Sequence, residues 1–318
     1  MASITVHLQT TGPMFLKGAD PRGDPEFRAA SIRGQLRFWL RAILGAETQN
    51  LTAIWEQESA IFGSTGAGSK VMVRLRPNEI EVVQAHIVPH HEAKSSRESA
   101  IAPDKPMKLT LSTKPGVSMP THAMDALEAW ALLGGMGKRS RRVFGGIQFR
   151  VYDKKRVSQV AVPDWFDTPP ATVKDWIPTY ESALARLTSR WDQSLGEPNW
   201  ATLHPMHSAV VVGKETFGSA IDINKKLFSV LRGQEFRQHE KVFGFIDGQK
   251  PRQRRASPVI AQARFDREHN QYFPVVTVMV SPIEHPQLTS DYRPILSDFV
   301  KRIEREFDGV IVHGGPFA

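Results

Sequence analysis

The sequence predicts an α+β fold of two units, each with the element order β, α, β, β, α, β. Three observations support this. The length of 318 residues fits about two domains. Short stretches alternate apolar and polar residues, as half-buried strands do. Between them, apolar residues recur at helical spacing. We place the boundary between residues 1–155 and residues 156–318.

The first unit begins with a strand, because Ile4, Val6 and Leu8 alternate with polar residues. After a Gly/Pro-rich loop at 12–25, apolar residues from Ile32 to Ile43 form one face of a helix that we expect to end at Gly45. The remaining elements are a helix at 51–62, strands at 71–76 and 107–111, a helix at 121–133 and a strand at 147–152. Residues 86–105 are predicted to form a weakly structured insertion.

A connection at 153–203, with a helix at 180–191, leads into the second unit. This unit is predicted to contain a strand at 208–212, a helix at 221–231, strands at 259–265 and 275–280, a helix around 295–307 and a strand at 310–312. Asp308 and Gly309 form the last turn. Both units therefore have the element order of the ferredoxin-like fold.

Composition excludes several classes of protein. There are 41 Lys and Arg against 33 Asp and Glu, a net charge of +8, so the protein is basic. The absence of cysteine excludes disulfides, iron–sulfur clusters, thiol catalysis and Cys-ligated zinc. We find no signal peptide, membrane span or cofactor motif, and we expect a cytoplasmic protein.

One basic cluster lies on the first helix, where Arg33, Arg37 and Arg41 form a stripe at i, i+4, i+8. Three guanidinium groups in a row repel one another unless an anion or an acidic surface lies across them. The stripe is a candidate phosphate site, and a solvated helix face is the alternative.

The second cluster is the glycine-rich loop, residues 134–146, which contains Lys138, Arg139, Arg141 and Arg142. Its glycines permit close backbone approach, so amides and side chains can face a phosphate backbone. A nucleotide-binding P-loop is excluded because this loop follows a helix and precedes a strand. The near-match at 63–70 is predicted to be a helix-to-strand turn.

The third cluster contains Arg252, Arg254 and Arg255 in a Pro-flanked loop. If this loop and the glycine-rich loop share a surface, they form a basic groove. Phe144, beside the glycine-rich loop, is the candidate for stacking on a base.

Candidates for a metal site are weak. His86, His90, His91 and Glu92 lie close in sequence, but Pro89 interrupts any helix that would align them. We interpret this segment as a surface loop and predict no metal.

Asp20 and Asp24 could serve as a general base, although their Gly/Pro-rich setting favours a turn. No arrangement of Ser, His and Asp predicts catalysis. A ribonuclease that uses one of these carboxylates or a loop histidine is the alternative to a binding protein.

Several stretches together resemble the first Cmr subunit of type III-B CRISPR effector complexes, in the RAMP superfamily. They are Phe15-Leu-Lys-Gly-Ala-Asp20, Glu26-Phe-Arg28, Ser31-Ile-Arg-Gly-Gln-Leu-Arg-Phe-Trp-Leu-Arg41, Ile61-Phe-Gly63, Gly134-Gly-Met-Gly-Lys-Arg-Ser-Arg-Arg142 with Phe144-Gly145, and Arg255-Ala-Ser-Pro258. Val143 departs from this family's pattern, in which glycine is common at that position.

The resemblance implies two ferredoxin-like, RRM-related domains in a non-catalytic subunit of a ribonucleoprotein for antiviral defence. Such a subunit contacts the 3′ region of the CRISPR RNA, the 5′ part of a single-stranded target RNA and other Cmr subunits. A further alternative is that the arginine stripe docks on a neighbouring subunit. The predicted RNA-binding residues are Arg28, Arg33, Arg37, Arg41, Lys138, Arg139, Arg141, Arg142, Phe144, Arg252, Arg254 and Arg255.

Overall fold

A computed structural model describes the chain except residues 19, 21–22, 79, 88–96, 155–159, 247–253, 283–291, 316 and 318. The architecture is α+β, with antiparallel sheets. Among the helices so described, none combines the length and apolarity needed to span a bilayer.

The first half is built around a four-stranded sheet. Its elements are β1 (Ser3–Thr10), α1 (Ala29–Glu47), α2 (Leu51–Phe62), β2 (Val71–Pro77), β3 (Val82–His86), β4 (Arg97–Ile101), β5 (Pro106–Thr113), α3 (Thr121–Leu133) and β6 (Ile147–Tyr152). The strand order is β2-β5-β1-β6, with every neighbouring pair antiparallel. Apolar residues of β1 and β5 pack with α1 and α3 in a core on one face of the sheet.

The second half repeats this arrangement after two connecting helices. Its elements are α4 (Asp164–Asp167), α5 (Val173–Leu187), β7 (Ser208–Gly213), α6 (Ala220–Leu231), α7 (Gln234–Arg237), β8 (Phe245–Ile246), β9 (Arg254–Arg255), β10 (Val259–Asp266), β11 (Gln271–Met279), α8 (Arg293–Glu306) and β12 (Gly309–Gly314). The four-stranded sheet has the order β10-β11-β7-β12, again antiparallel.

The two sheets differ in how they are covered. Almost every residue of β7, β10 and β11 is buried, because both faces of the second sheet are packed. One face packs with α6 and α8. The other joins the core of the first half, where Val210 and Val275 lie with residues of α3 and α5. The second sheet is therefore an internal layer.

Three predictions about the elements are corrected. The first helix continues to Glu47, beyond Gly45. Gly45 is needed for close packing: a Cβ there would lie 2.6 Å from Trp200 Nε1. The insertion at 86–105 is not uniformly irregular, because β4 pairs with β3 as a hairpin.

The third correction concerns the connecting helix, predicted at 180–191. It runs instead over Val173–Leu187, because Thr172 and Asp175 form a capping box at its start and Pro178 is accommodated inside it. Trp191 lies beyond the helix and packs against His204, with ring centroids 4.8 Å apart. The predicted boundary at 155/156 falls inside the undescribed segment 155–159 and stays a prediction.

Candidate nucleic-acid interface

The glycine-rich loop joins α3 to β6, and Arg264 of β10 holds both of its ends. The Arg264 side chain is buried and donates to Leu132 O at 2.7 Å and to Ile147 O at 2.6 Å. Its Nε also lies 3.3 Å from the hydroxyl of Tyr180. A strand of the second half therefore fixes the shape of a loop of the first half.

Four positions of the loop have positive φ angles, namely Gly137, Arg139, Val143 and Gly145. Gly145 has φ +63°, and a Cβ there would overlap Met136 O at 1.8 Å. Val143 has φ +71°, which is unusual for a β-branched residue. Its side chain is buried in the core of the second half, and its N–H donates to Ala261 O at 2.9 Å. The loop thus adopts a left-handed turn at this position without glycine.

Arg142 is a structural residue at the junction of the two halves. Its guanidinium donates to Phe243 O at 3.1 Å and Val259 O at 3.3 Å, and its carbonyl accepts from Asn224 Nδ2 at 2.5 Å. Burial, together with the charges of Arg139 and Arg141, lowers the pKa of Arg142 to about 10. It remains charged at neutral pH and adds to the local positive potential.

Arg141 and Arg255 approach the same junction from different loops. The Arg141 guanidinium lies over the Phe38 ring, 5.2 Å from its centroid, and donates to Ser257 O. Arg255 donates to Val242 O at 2.9 Å and Ser281 O at 3.0 Å. Burial lowers the pKa of Arg255 to about 10, and the charge of Arg141 acts in the same direction.

Together these residues form a cleft of about 630 Å³, which we call the arginine cleft. Its lining consists of Arg139, Ser140, Arg141, Arg142, Phe243, Gly244, Arg255, Ala256 and Ser257. No carboxylate is among these residues. The exposed Arg139 side chain forms no ion pair in the described part of the chain, although the charge of Glu98, the ion-pair partner of Lys138, acts on it. The structure thus brings the second and third basic clusters together. Arg252 lies outside the described residues, and only the backbone of Arg254 is described.

Two arginines of the α1 stripe form ion pairs with a carboxylate of the same chain. Glu58 of α2 accepts from Arg37 at 3.1 Å and from Arg41 at 2.9 Å. Arg37 also donates to Phe62 O at 2.9 Å, at the end of α2. The buried Glu58 carboxylate thus bridges the two guanidinium groups, and these ion pairs hold α2 against α1. Arg33 has no such partner in the described ranges and lines a different cleft.

Other predicted residues have different surroundings. Phe144 is 2% exposed and packs edge-to-face on Phe15, 5.2 Å between centroids, so its prediction as a base-stacking residue is wrong. Lys138 forms an ion pair with Glu98 at 2.7 Å. Arg28 is exposed at the start of α1, outside the arginine cleft.

The weaker candidates for chemistry are dispersed. His86 accepts from Arg97 Nε at 3.1 Å, while His90, His91 and Glu92 lie outside the described residues. Asp20 accepts from Gly23 N at 3.2 Å through its carbonyl, as in a turn. Within the described chain, no group of three His, Asp or Glu side chains is placed to hold a metal ion.

Sequence reasoning missed Arg264 and Asn224. Gln262 and Arg264 alternate with Ala261 and Ala263 in β10, a pattern that predicts an outward-facing polar side. The only signal in the sequence was an arginine in a predominantly apolar strand. The role of Arg264 follows only from the tertiary structure, in which the first half covers that face of β10.

Comparisons with known proteins agree with this architecture. Residues 7–148 match the family model of the RAMP superfamily. The Cmr subunit Cmr1-2 of Pyrococcus furiosus is 41% identical over 75 residues, which are 23% of this chain and 40% of that relative. Cmr1-1 of the same organism is 23% identical over 277 residues, covering 74% of this chain and 75% of that protein.

Solved structures show the same fold. The crystal structure of apo Cmr1 from Pyrococcus furiosus has a TM-score of 0.68 and 20% identity, covering 99% of this chain and all of that one. A chain of type III-B Cmr-beta bound to cognate target RNA has a TM-score of 0.64 and 10% identity, covering 88% and 94%. The family match and the two sequence relatives confirm the predicted resemblance of this chain to the RAMP superfamily and to the Cmr1 subunit of the CRISPR Cmr system, and the solved structures show the shared fold.

Proposed function

We propose that this chain is a non-catalytic RNA-binding subunit of a type III-B CRISPR ribonucleoprotein that acts in antiviral defence. In that role it contacts the 3′ region of the CRISPR RNA and the 5′ part of a single-stranded target RNA, beside other Cmr subunits. The arginine cleft is the observation that carries the proposal. The resemblance to Cmr1 and to a Cmr-beta chain in an RNA-bound complex supports it.

The chemistry of the arginine cleft suits a phosphate backbone. Four guanidinium groups gather without a lining carboxylate, and burial together with repulsion from neighbouring arginines lowers the pKa values of Arg142 and Arg255. A phosphate between them would relieve that repulsion and accept charge-assisted hydrogen bonds. Contacts of this kind fix position without reading sequence.

We assign the four arginines different roles. Arg139 is exposed and Arg141 lies on Phe38, so both can turn donors toward an RNA strand. Arg142 and Arg255 are held by backbone carbonyls and supply positive potential and rigidity. Arg252 and Arg254, which precede Arg255 in the sequence, are proposed as further phosphate contacts, with Lys138 and Arg28 as peripheral ones.

We also propose that each half is a ferredoxin-like domain. In both four-stranded sheets the first and third strands of the βαββαβ order are central, and all neighbours are antiparallel. In the first half the β3–β4 hairpin is then an insertion between the second and third strands.

The test uses the full chain and a labelled single-stranded RNA, with affinity measured at several salt concentrations. Reversing Arg139 and Arg141 to Glu should weaken binding at least about tenfold and reduce the log–log salt slope by about 1.4, at about 0.7 per phosphate. Lys174→Glu with Arg237→Glu, both exposed and outside the cleft, makes the same charge change and is the control. Equal affinity and slope in the two variants would contradict the proposal.

A further inference from the structure

The outer face of the first sheet is a second basic surface, separate from the arginine cleft. We call it the open face. It carries Met72, Arg74 and Arg76 of β2 beside Lys108 and Thr110 of β5. Whereas the second sheet is buried on both sides, Arg74 and Arg76 are exposed to solvent. The open face is thus a sheet surface that no helix of the described chain covers.

The register places like charges directly opposite one another. Arg76 pairs with Lys108, and Lys108 pairs in turn with His7 of β1. Directly opposed side chains on one face have Cβ atoms about 5 Å apart, and like charges there destabilise a sheet. Arg74, Arg76 and Lys108 have no ion-pair partner within the described ranges. This arrangement is unfavourable in the isolated chain and becomes favourable when an anion lies across it.

A cleft of about 930 Å³ runs along this face and its β2 edge. Arg33 of α1 lines it, and the Arg33 Nε is buried without a hydrogen-bond partner among the residues that the structure describes. The cleft contains no carboxylate in its described lining. Arg33, the one member of the predicted stripe that Glu58 does not hold, therefore belongs to this surface.

We propose that the open face binds the sugar-phosphate backbone of a single-stranded RNA. Arg74 and Arg76 are two residues apart on one strand, about 6.8 Å, a spacing comparable with that of consecutive phosphates. The Ser112 hydroxyl beside them can donate to phosphate or sugar oxygens, and so can that of Thr110 when Thr5 Oγ1, 2.8 Å away, donates to it. Met72, 44% exposed, offers an apolar contact for a base.

An RNA fits this surface better than a protein does. The centres of protein interfaces are rich in aromatic residues and poor in lysine, whereas the open face presents small hydroxyl residues between cations. Arg, Lys, Ser and Thr are the usual side-chain donors to phosphate. The choice of ligand rests on the RNA-binding role proposed above.

The experiment crosslinks the full chain to a 4-thiouridine-containing oligouridine and maps the attached peptides. We expect crosslinks within 71–77 and 106–113, and their loss in Arg74→Glu with Arg76→Glu. That variant should bind about tenfold more weakly, with a salt slope lower by about 1.4. Arg76→Gln with Lys108→Gln should act in the same direction without adding negative charge.

The Arg139→Glu, Arg141→Glu variant distinguishes RNA binding at the open face from RNA binding at the arginine cleft, because crosslinks to 71–77 should persist in it. If only the proposed RNA-binding role of the arginine cleft is wrong, crosslinks to 71–77 are still expected. The inference is overturned if no crosslink maps to β2 or β5 and if the open-face variant binds like Lys174→Glu with Arg237→Glu. It is overturned equally if RNA binding is unchanged while association with partner subunits is lost, because the face would then dock protein.

Discussion

The guanidinium of Arg264 donates to the carbonyl oxygen of Leu132 at 2.7 Å across the junction of the two halves. Leu132 lies in the last turn of α3, where carbonyl groups lack helical partners and the helix dipole favours a cation. The same guanidinium reaches Ile147 O, where β6 begins. Both ends of the glycine-rich loop are therefore anchored to one side chain, and the arginine cleft depends on it.

The first prediction concerns that anchor. Arg264→Lys keeps the charge but loses the planar fork that serves two carbonyl groups at once. We expect the free energy of unfolding to fall by about 2–4 kcal/mol, because buried carbonyls and a buried charge lose partners. Chemical denaturation measures the loss. A change below about 0.5 kcal/mol, the range of ordinary surface substitutions, would contradict the assigned role.

The second prediction concerns Val143, whose backbone has a left-handed conformation. Alanine and glycine both remove the buried isopropyl group, but only glycine tolerates φ +71° without strain. Val143→Gly should therefore be more stable than Val143→Ala by about 1 kcal/mol, although at most positions the alanine variant is the more stable of the two. Thermal unfolding of the two variants side by side provides the measurement. A more stable alanine variant would show that the loop does not hold this conformation.

The third prediction separates the arginine stripe from RNA binding. Glu58→Gln leaves Arg37 and Arg41 without their carboxylate, so stability should fall by about 1–3 kcal/mol. RNA affinity should stay the same, because these guanidinium groups connect α1 to α2. Affinity that increases markedly in Glu58→Gln would instead indicate that the freed stripe binds phosphate.

The fourth prediction concerns pH. His313 is buried and bonded to Leu203 O at 2.9 Å, and burial lowers its pKa below the usual 6.5. The unfolded chain takes up a proton near pH 6.5 that the folded chain resists, so stability is full above that pH and falls as the pH drops below it. His313→Gln should make this decline shallower, and the partly exposed His239→Gln should leave it unchanged. Urea unfolding at several pH values tests this, and parallel curves for wild type and His313→Gln would contradict it.

Local patterns predicted most elements because alternation and helical spacing report which side of a segment is buried. They also identified the basic loops, since glycine and charge density are local features. Contacts between distant segments were not predictable. The pairing of Arg37 and Arg41 with Glu58 depends on how α2 packs, and the burial of Phe144 depends on Phe15 from another loop.

The convergence of the two basic loops is likewise a tertiary property. Arg141 and Ser257 meet because β10 lies beside the glycine-rich loop, as the bond from Val143 N to Ala261 O shows. The sequence identified both basic loops, but it did not show that they lie side by side in the folded chain. The open face was missed for a related reason, because Arg76 and Lys108 are opposed only through strand register.

The most direct test of the RNA-binding role is crosslinking in the assembled complex, with 4-thiouridine placed along the guide and the target RNA. Crosslinked residues are then mapped on this chain by mass spectrometry. The arginine cleft should yield crosslinks within 139–142 and 254–257, from the 3′ region of the guide or the 5′ part of the target. Crosslinks confined to other surfaces, with none in these two segments, would contradict the account.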